Sequence, residues 1–285
     1  MSKAHVAGLD PAGLCCNLAR NQTPAMIRTG QMASFERHPK MGLAFETEGR
    51  DEARLGLIVL QADETIENEF RRIIPSSATL HVSRVPSGRE VTTDSLSEME
   101  NHIGDSAKLF PAAISFDAVG YGCTSGTSVI GIERVGELVR SGTSATAVTE
   151  PISALIAACQ HLGVTRLAFL SPYIEDVSSG MRTVLAENGI QTPVFGSFET
   201  REEAVVARIA PASILQAAVQ LGTNPDAEAI FISCTNLRTL DVISAIEDRV
   251  GKPVFSSNQV LGWHMCQLAG IEPATAGLGK LLSVR

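Results

Sequence analysis

An apolar strand that ends in Cys-Thr occurs twice in this chain, at Cys123-Thr124 and again at Cys234-Thr235, 111 residues further on. A second pair of landmarks keeps nearly the same interval: Arg54-Leu55-Gly56-Leu57-Ile58 is echoed by Arg166-Leu167-Ala168-Phe169-Leu170, 112 residues later. Each of these strands leads through an acid-bearing loop into a helix, by Asp63-Glu64-Thr65-Ile66-Glu67 in one case and Tyr173-Ile174-Glu175-Asp176-Val177 in the other. Four landmarks at one offset point to two copies of a single α/β unit. Copies related by a pseudo-twofold would set equivalent loops face to face at the carboxyl ends of their strands, where open α/β sheets bind ligands.

The rest of the pattern agrees. Strands are expected at Leu55–Leu60, Thr79–Val82, Ala118–Tyr121, Arg166–Leu170, Ile230–Ser233 and Pro253–Ser256. Helices are expected at Glu64–Ile73, Ile130–Arg140, Ile152–His161, Val177–Glu187, Ala212–Leu221 and Leu240–Val250. Gly163, Gly189 and Gly251 sit where helices stop. Strands alternating with helices of this length predict parallel sheets flanked by helices. The first 50 residues lack a clean period, and three readings stay open for them: an arm over the domain, a subunit contact in a homo-oligomer, or a partly disordered tail.

A formal net charge of −8 disfavours nucleic acid and anionic membrane as partners. No apolar run has the length of a signal peptide core or a bilayer span, so a cytoplasmic protein with reduced thiols is expected.

Cys123 lies in Gly120-Tyr121-Gly122-Cys123-Thr124-Ser125-Gly126-Thr127, and Cys234 in Ile232-Ser233-Cys234-Thr235-Asn236-Leu237. A thiol at the start of a helix feels partial positive charge and unpaired N–H groups. Both cysteines are therefore expected to have a lowered pKa and an accessible thiolate. The nearby hydroxyls of Thr124, Ser125 and Thr235 can hold a carboxylate or an enediolate-like intermediate. A lone cysteine at a strand end is usually a small buried hydrophobe; two at matching places in a repeat favour chemistry. Cys15 and Cys16 fall in the N-terminal extension, and Cys159 and Cys266 on apolar helix faces, where a structural role is expected. The rival reading takes Gly120-x-Gly122-x-x-x-Gly126 as a dinucleotide-binding turn, but no acidic residue ends a second strand at the expected distance. No metal-ligand spacing is present. His161 and His264 read as helix residues, Asp241 and Glu247 as solvated or salt-bridged, and Tyr173 as a hydroxyl that could reach a substrate carboxylate.

At these loops the sequence resembles a subgroup of the aspartate/glutamate racemase superfamily: the maleate cis-trans isomerases, the arylmalonate decarboxylases and the ectoine-utilisation (EutA-like) proteins. The resemblance rests on the two Cys-Thr loops, Ser171-Pro172-Tyr173-Ile174-Glu175-Asp176-Val177, and the stretch from Leu240-Asp241-Val242-Ile243 to Gly251-Lys252-Pro253-Val254-Phe255-Ser256-Ser257-Asn258-Gln259. The EutA-like members are the most similar, through Val59-Leu60 with Asp63-Glu64-Thr65-Ile66-Glu67 and Ser-Cys-Thr-Asn-Leu-Arg. It implies two pseudo-symmetric, Rossmann-like α/β domains with parallel sheets and the active site in the cleft between them. The expected division is an irregular extension over 1–50, a first domain over 51–150 plus 254–285, and a second over 151–253.

The resemblance also implies a cofactor-independent isomerase of a small carboxylic or amino acid, either a racemase or a maleate-type cis-trans isomerase. Its catalytic residues would be Cys123 and Cys234, and its substrate contacts Thr124, Ser125, Tyr173, Thr235 and Asn236. Arylmalonate decarboxylases keep only the second cysteine, with glycine for the first, whereas this chain has both. Maleate isomerases carry a substrate-binding asparagine in the first strand–helix loop, which here reads Gln61-Ala62-Asp63-Glu64-Thr65. The alternatives are an arylmalonate-type decarboxylase and a non-catalytic small-acid-binding protein that keeps the fold.

Overall fold

The structure, a computed structural model, describes residues 41–49 and 51–283. The expectations for residues 1–40, with Cys15 and Cys16, lie outside the described residues. From residue 51 the chain runs β1 (Ala53–Leu60), α1 (Ile66–Ile73), β2 (Ala78–Val85), α2 (Thr93–Glu98), α3 (Glu100–Ala107), β3 (Phe116–Gly122), α4 (Thr124–Ile130), α5 (Ile132–Gly142) and β4 (Ala145–Thr149). It continues through α6 (Pro151–Leu162), β5 (Arg166–Tyr173), α7 (Glu175–Glu187), β6 (Gln191–Thr200), α8 (Glu203–Val206), α9 (Pro211–Gly222), β7 (Ala229–Ile232), α10 (Ile243–Val250), β8 (Val254–Ser256), α11 (Ser257–Leu268) and α12 (Lys280–Ser283).

Two four-stranded sheets result, ordered β2-β1-β3-β4 and β6-β5-β7-β8, with every pair parallel. The second order is the first shifted by four strands, so the repeat legible in the sequence is a repeat of topology. β1 and β5 are central in their sheets, and β3 and β7, which precede the two cysteines, lie beside them. Both central strands are almost wholly buried, as strands covered on two faces must be.

One continuous apolar core runs under both sheets. The helix that joins the layers is α11: it follows β8 of the second sheet and packs on β3 of the first and on α6 and α1. The chain leaves the second sheet after Ser256. The packing is close enough to explain the glycines. A Cβ on Gly120 would meet Met265 Sδ at 2.5 Å, and one on Gly126 would meet Cys123 Sγ at 2.8 Å. Among the described residues no helix is long and apolar enough to cross a membrane.

Candidate active site

β3 delivers Cys123 to the first turn of α4, where the cysteine caps the helix. Its φ of −149° is relaxed, and its Sγ accepts the Gly126 N–H at 3.1 Å. β7 delivers Cys234 to a different local structure. Here φ is +102°, a left-handed conformation that a non-glycine residue adopts only under constraint. No helix follows directly, because α10 begins only at Ile243. The expectation that both cysteines start helices therefore holds for Cys123 and fails for Cys234. The intervening turn is held instead by the buried Glu69 carboxylate, which accepts the N–H groups of Thr239 (2.6 Å) and Leu240 (3.0 Å) and an Asn258 Nδ2–H (2.7 Å).

The two loops meet. Ser257 Oγ accepts the Cys234 N–H at 3.0 Å and lies 2.8 Å from Thr124 Oγ1, so one hydroxyl bridge joins the cysteine turns. The Thr235 hydroxyl adds a second link by donating to the Gly122 carbonyl at 3.3 Å. Cys123 and Cys234 are 3% and 4% exposed, so the site is closed over in this structure. The loops above it are stitched together. Val91 N–H donates to Arg201 O (2.8 Å), Glu203 N–H donates to Arg89 O (3.1 Å), and Arg208 forms a two-pronged ion pair with Glu64.

Two buried carboxyls complete the site, and sequence reasoning did not find their role. Glu203 Oε1 accepts the Tyr173 hydroxyl at 2.8 Å, Oε2 accepts Asn236 Nδ2–H at 2.8 Å, and Tyr173 Oη lies 3.0 Å from Cys234 Sγ. Asp63 Oδ1 accepts the N–H groups of Thr65 and Ile66, both at 2.8 Å, at the start of α1. Burial pushes both carboxyls above the usual range. Nothing in Arg201-Glu202-Glu203-Ala204 sets the buried acid apart from its solvated neighbour. The one usable signal for Asp63 was its position before Thr65, Ile66 and the helix, as an Asx-type cap.

Neither thiol is lowered, contrary to the sequence expectation. Burial raises the Cys123 pKa to about 12; the Gly126 N–H opposes this, and Glu203 adds to it. Burial also holds Cys234 well above its ordinary value, with Glu203 next in effect and only then the opposing Tyr173 and Asn236 hydrogen bonds. The end of a short helix does not overcome desolvation flanked by two carboxyls.

Of the expected substrate contacts, Thr124, Ser125, Tyr173, Thr235 and Asn236 are all buried around the thiols. Tyr173 reaches Cys234 and Glu203. Asn236 is already engaged: it donates to Glu203 and its Oδ1 accepts the Glu64 N–H at 2.9 Å. Away from the site, Cys159 and Cys266 are buried helix residues as expected. His264 Nδ1 pairs with the Thr149 hydroxyl (2.8 Å), and Asp241 pairs with Arg72 at the surface. Glu247 departs from expectation, being buried and accepting the N–H groups of Val254 and Lys280.

Comparison with known proteins gives one family and one fold. The model of a family described as arylmalonate decarboxylase matches residues 55–282. A maleate isomerase of Pseudomonas putida is 22% identical over 244 residues, spanning 81% of this chain and 97% of the relative. An arylmalonate decarboxylase of Bordetella bronchiseptica is 33% identical over 131 residues, 45% of this chain and 55% of the relative. Among solved structures, a maleate isomerase of Pseudomonas putida S16, determined with maleate, superposes with a TM-score of 0.73 at 23% identity. That superposition covers 81% of this chain and 97% of the other.

Proposed function

The chain belongs to the arylmalonate decarboxylase family, and from that premise we propose a cofactor-independent isomerase that works a small carboxylic or amino acid between Cys123 and Cys234. The subgroup to which it belongs, within the aspartate/glutamate racemase superfamily, holds both maleate isomerases and arylmalonate decarboxylases. The observation that carries the isomerase reading is the pair of buried thiols at matching strand ends, joined through Thr124 and Ser257.

The cycle needs one ionised and one protonated thiol. Burial raises both thiols, and the resemblance to maleate isomerases gives Cys123 the ionised role and Cys234 the protonated one. In a racemisation the Cys123 sulfur takes the α-proton and the C–H electron pair moves into the carboxylate as an enediolate. Cys234 then gives its proton to the opposite face. In a cis-trans isomerisation the Cys123 thiolate adds to one alkene carbon, the new single bond rotates, and expulsion of the thiolate restores the double bond. The hydroxyls of Thr124, Ser125 and Thr235 serve the charge that develops on the carboxylate. Tyr173 links Cys234 to Glu203, and Asn236 holds Glu203 in place.

The test is proton NMR in D2O with maleate, both aspartate enantiomers, an aryl malonate and N-acetyl-2,4-diaminobutyrate, the last chosen for the EutA-like resemblance. Loss of an α-proton signal identifies a racemase, and fumarate from maleate a cis-trans isomerase. Decarboxylation of the malonate with no isomerisation overturns the reading. So does silence across the panel combined with slow, uniform alkylation of the cysteines, which would indicate a binding protein.

A further inference from the structure

Tyr173 lies between Cys234 and Glu203, and its hydroxyl carries a single proton. Its Oη is 2.8 Å from Glu203 Oε1 and 3.0 Å from Cys234 Sγ. The hydroxyl donates to one of these atoms at a time, and the other contact is a hydrogen bond only if Oη accepts. All three side chains are buried, so the direction of the two bonds states where the protons of the acid and the thiol sit. With Glu203 a carboxylate, Tyr173 donates to it and the Cys234 S–H donates to Tyr173. With Glu203 protonated on Oε1, the carboxyl O–H donates to Tyr173, and Tyr173 donates to a Cys234 thiolate.

Asn236 removes the remaining freedom. Its Oδ1 accepts the Glu64 N–H at 2.9 Å, which turns its Nδ2 to Glu203 Oε2 at 2.8 Å. Oε2 is thereby held as an acceptor, and Oε1 faces the tyrosine. The Asn236 backbone N–H donates to Cys234 Sγ at 3.3 Å, so one residue holds both ends of the relay.

We infer that Glu203 and Cys234 hold one proton between them, passed through Tyr173. At rest the proton is on the sulfur, because a carboxyl is ordinarily a far stronger acid than a thiol. Transfer breaks the Cys234 S–H bond; Oη takes that proton and gives its own to Glu203 Oε1. Nothing has to enter or leave the closed site. The inference rests on the two-thiol reading and deepens it: Glu203 is a positioning residue that lets Cys234 give a proton in one direction of the reaction and take one in the other.

Glutamine at position 203 tests this. With Asn236 Nδ2 fixed, the amide oxygen faces Asn236 and the amide N–H faces Tyr173, which locks the relay in its reversed direction and aims the tyrosine proton at Cys234. Thiolate absorbance in the ultraviolet is titrated against pH in the full-length Cys123→Ser chain, alone and with Glu203→Gln, Tyr173→Phe or both. Asp63, the other titratable group acting on both Cys234 and Glu203, is common to all four proteins, as are the remaining cysteines, so their signals cancel in the differences. Glu203→Gln should increase the Cys234 thiolate at a fixed pH by about tenfold, and adding Tyr173→Phe should remove most of that gain. Tyr173→Phe alone, which leaves Glu203 untouched, should decrease the thiolate, because the sulfur loses its hydroxyl donor. No gain in Glu203→Gln, a gain that survives Tyr173→Phe, or a thiolate increased by Tyr173→Phe alone overturns the inference. The titration uses no substrate, so the two readings fail separately. Silence in the NMR assay sinks the isomerase and leaves the relay, whereas thiol-dependent turnover with a titration indifferent to Tyr173 does the reverse.

Discussion

The two cysteine loops begin alike and are built differently. Each follows a parallel strand next to the centre of its sheet, and each reads Cys-Thr. At Cys123 the backbone is extended and flows into a helix, and the thiol rests on an amide of that helix. At Cys234 the backbone is turned to φ +102°, no helix follows at once, and the thiol rests on Tyr173, which is tied to Glu203. Equivalent topology has delivered two sulfurs to one pair of loops, and unequal local structure has given them different partners, an amide at Cys123 and the Tyr173 hydroxyl at Cys234. An enzyme that moves a proton or a bond between two faces needs that asymmetry in each half-cycle.

The largest expected effect tests whether both loops are needed at all. Cys123→Ser and Cys234→Ser should each cut turnover by about 10²–10⁴-fold, with a melting temperature close to the wild type. If either single variant turns over normally in the NMR assay, the two loops are not partners.

Glu203→Gln probes the asymmetry itself. Removing the carboxylate takes away a raising influence on both thiols, and Glu203 also holds the Tyr173 hydroxyl that lies against Cys234. Iodoacetamide labelling, mapped by mass spectrometry, should therefore accelerate more at Cys234 than at Cys123. Equal acceleration would mean that Glu203 does not distinguish the loops.

The same variant carries a pH signature. Glu203, Asp63, Glu69 and Glu150 all have carboxyls raised by burial. Such a group binds its proton more tightly folded than unfolded. Its contribution is full below the unfolded pKa of about 4 and is lost as pH climbs through the folded value. The melting temperature should fall as pH rises above the unfolded value, and fall less in Glu203→Gln. A wild type that becomes more stable as pH rises from there would contradict the burial of these groups.

The smallest effect is in the backbone. At Cys234, glycine should be more stable than alanine by about 1 kcal/mol, because only glycine escapes the left-handed penalty. At Cys123, where φ is −149°, alanine should equal or exceed glycine. Chemical denaturation of the four variants reads this directly, and the same sign at both positions would remove the backbone difference.

Some of this was open to inspection of the sequence. Central strands such as Leu55–Leu60 and Arg166–Leu170 are buried on both faces, so their residues form apolar runs that announce a parallel sheet. β4 and β6 were not foreseen, because they are only partly buried and mix apolar with polar residues. α11 hides for the opposite reason: it is buried nearly all round, so it shows no stripe of one character.

What the sequence by itself determined is the repeated α/β unit and the arrival of Cys123 and Cys234 at matching strand ends, since both follow from periodicity and spacing along the chain. Only the tertiary structure decided the chemistry around them. Glu203 and Asp63 are written like surface acids, and the strained turn at Cys234 carries no glycine to mark it. Burial arises when distant segments close together, here the loops at 61–65, 89–91 and 201–208. Desolvation follows from that closure, and it raises both thiols and both carboxyls together.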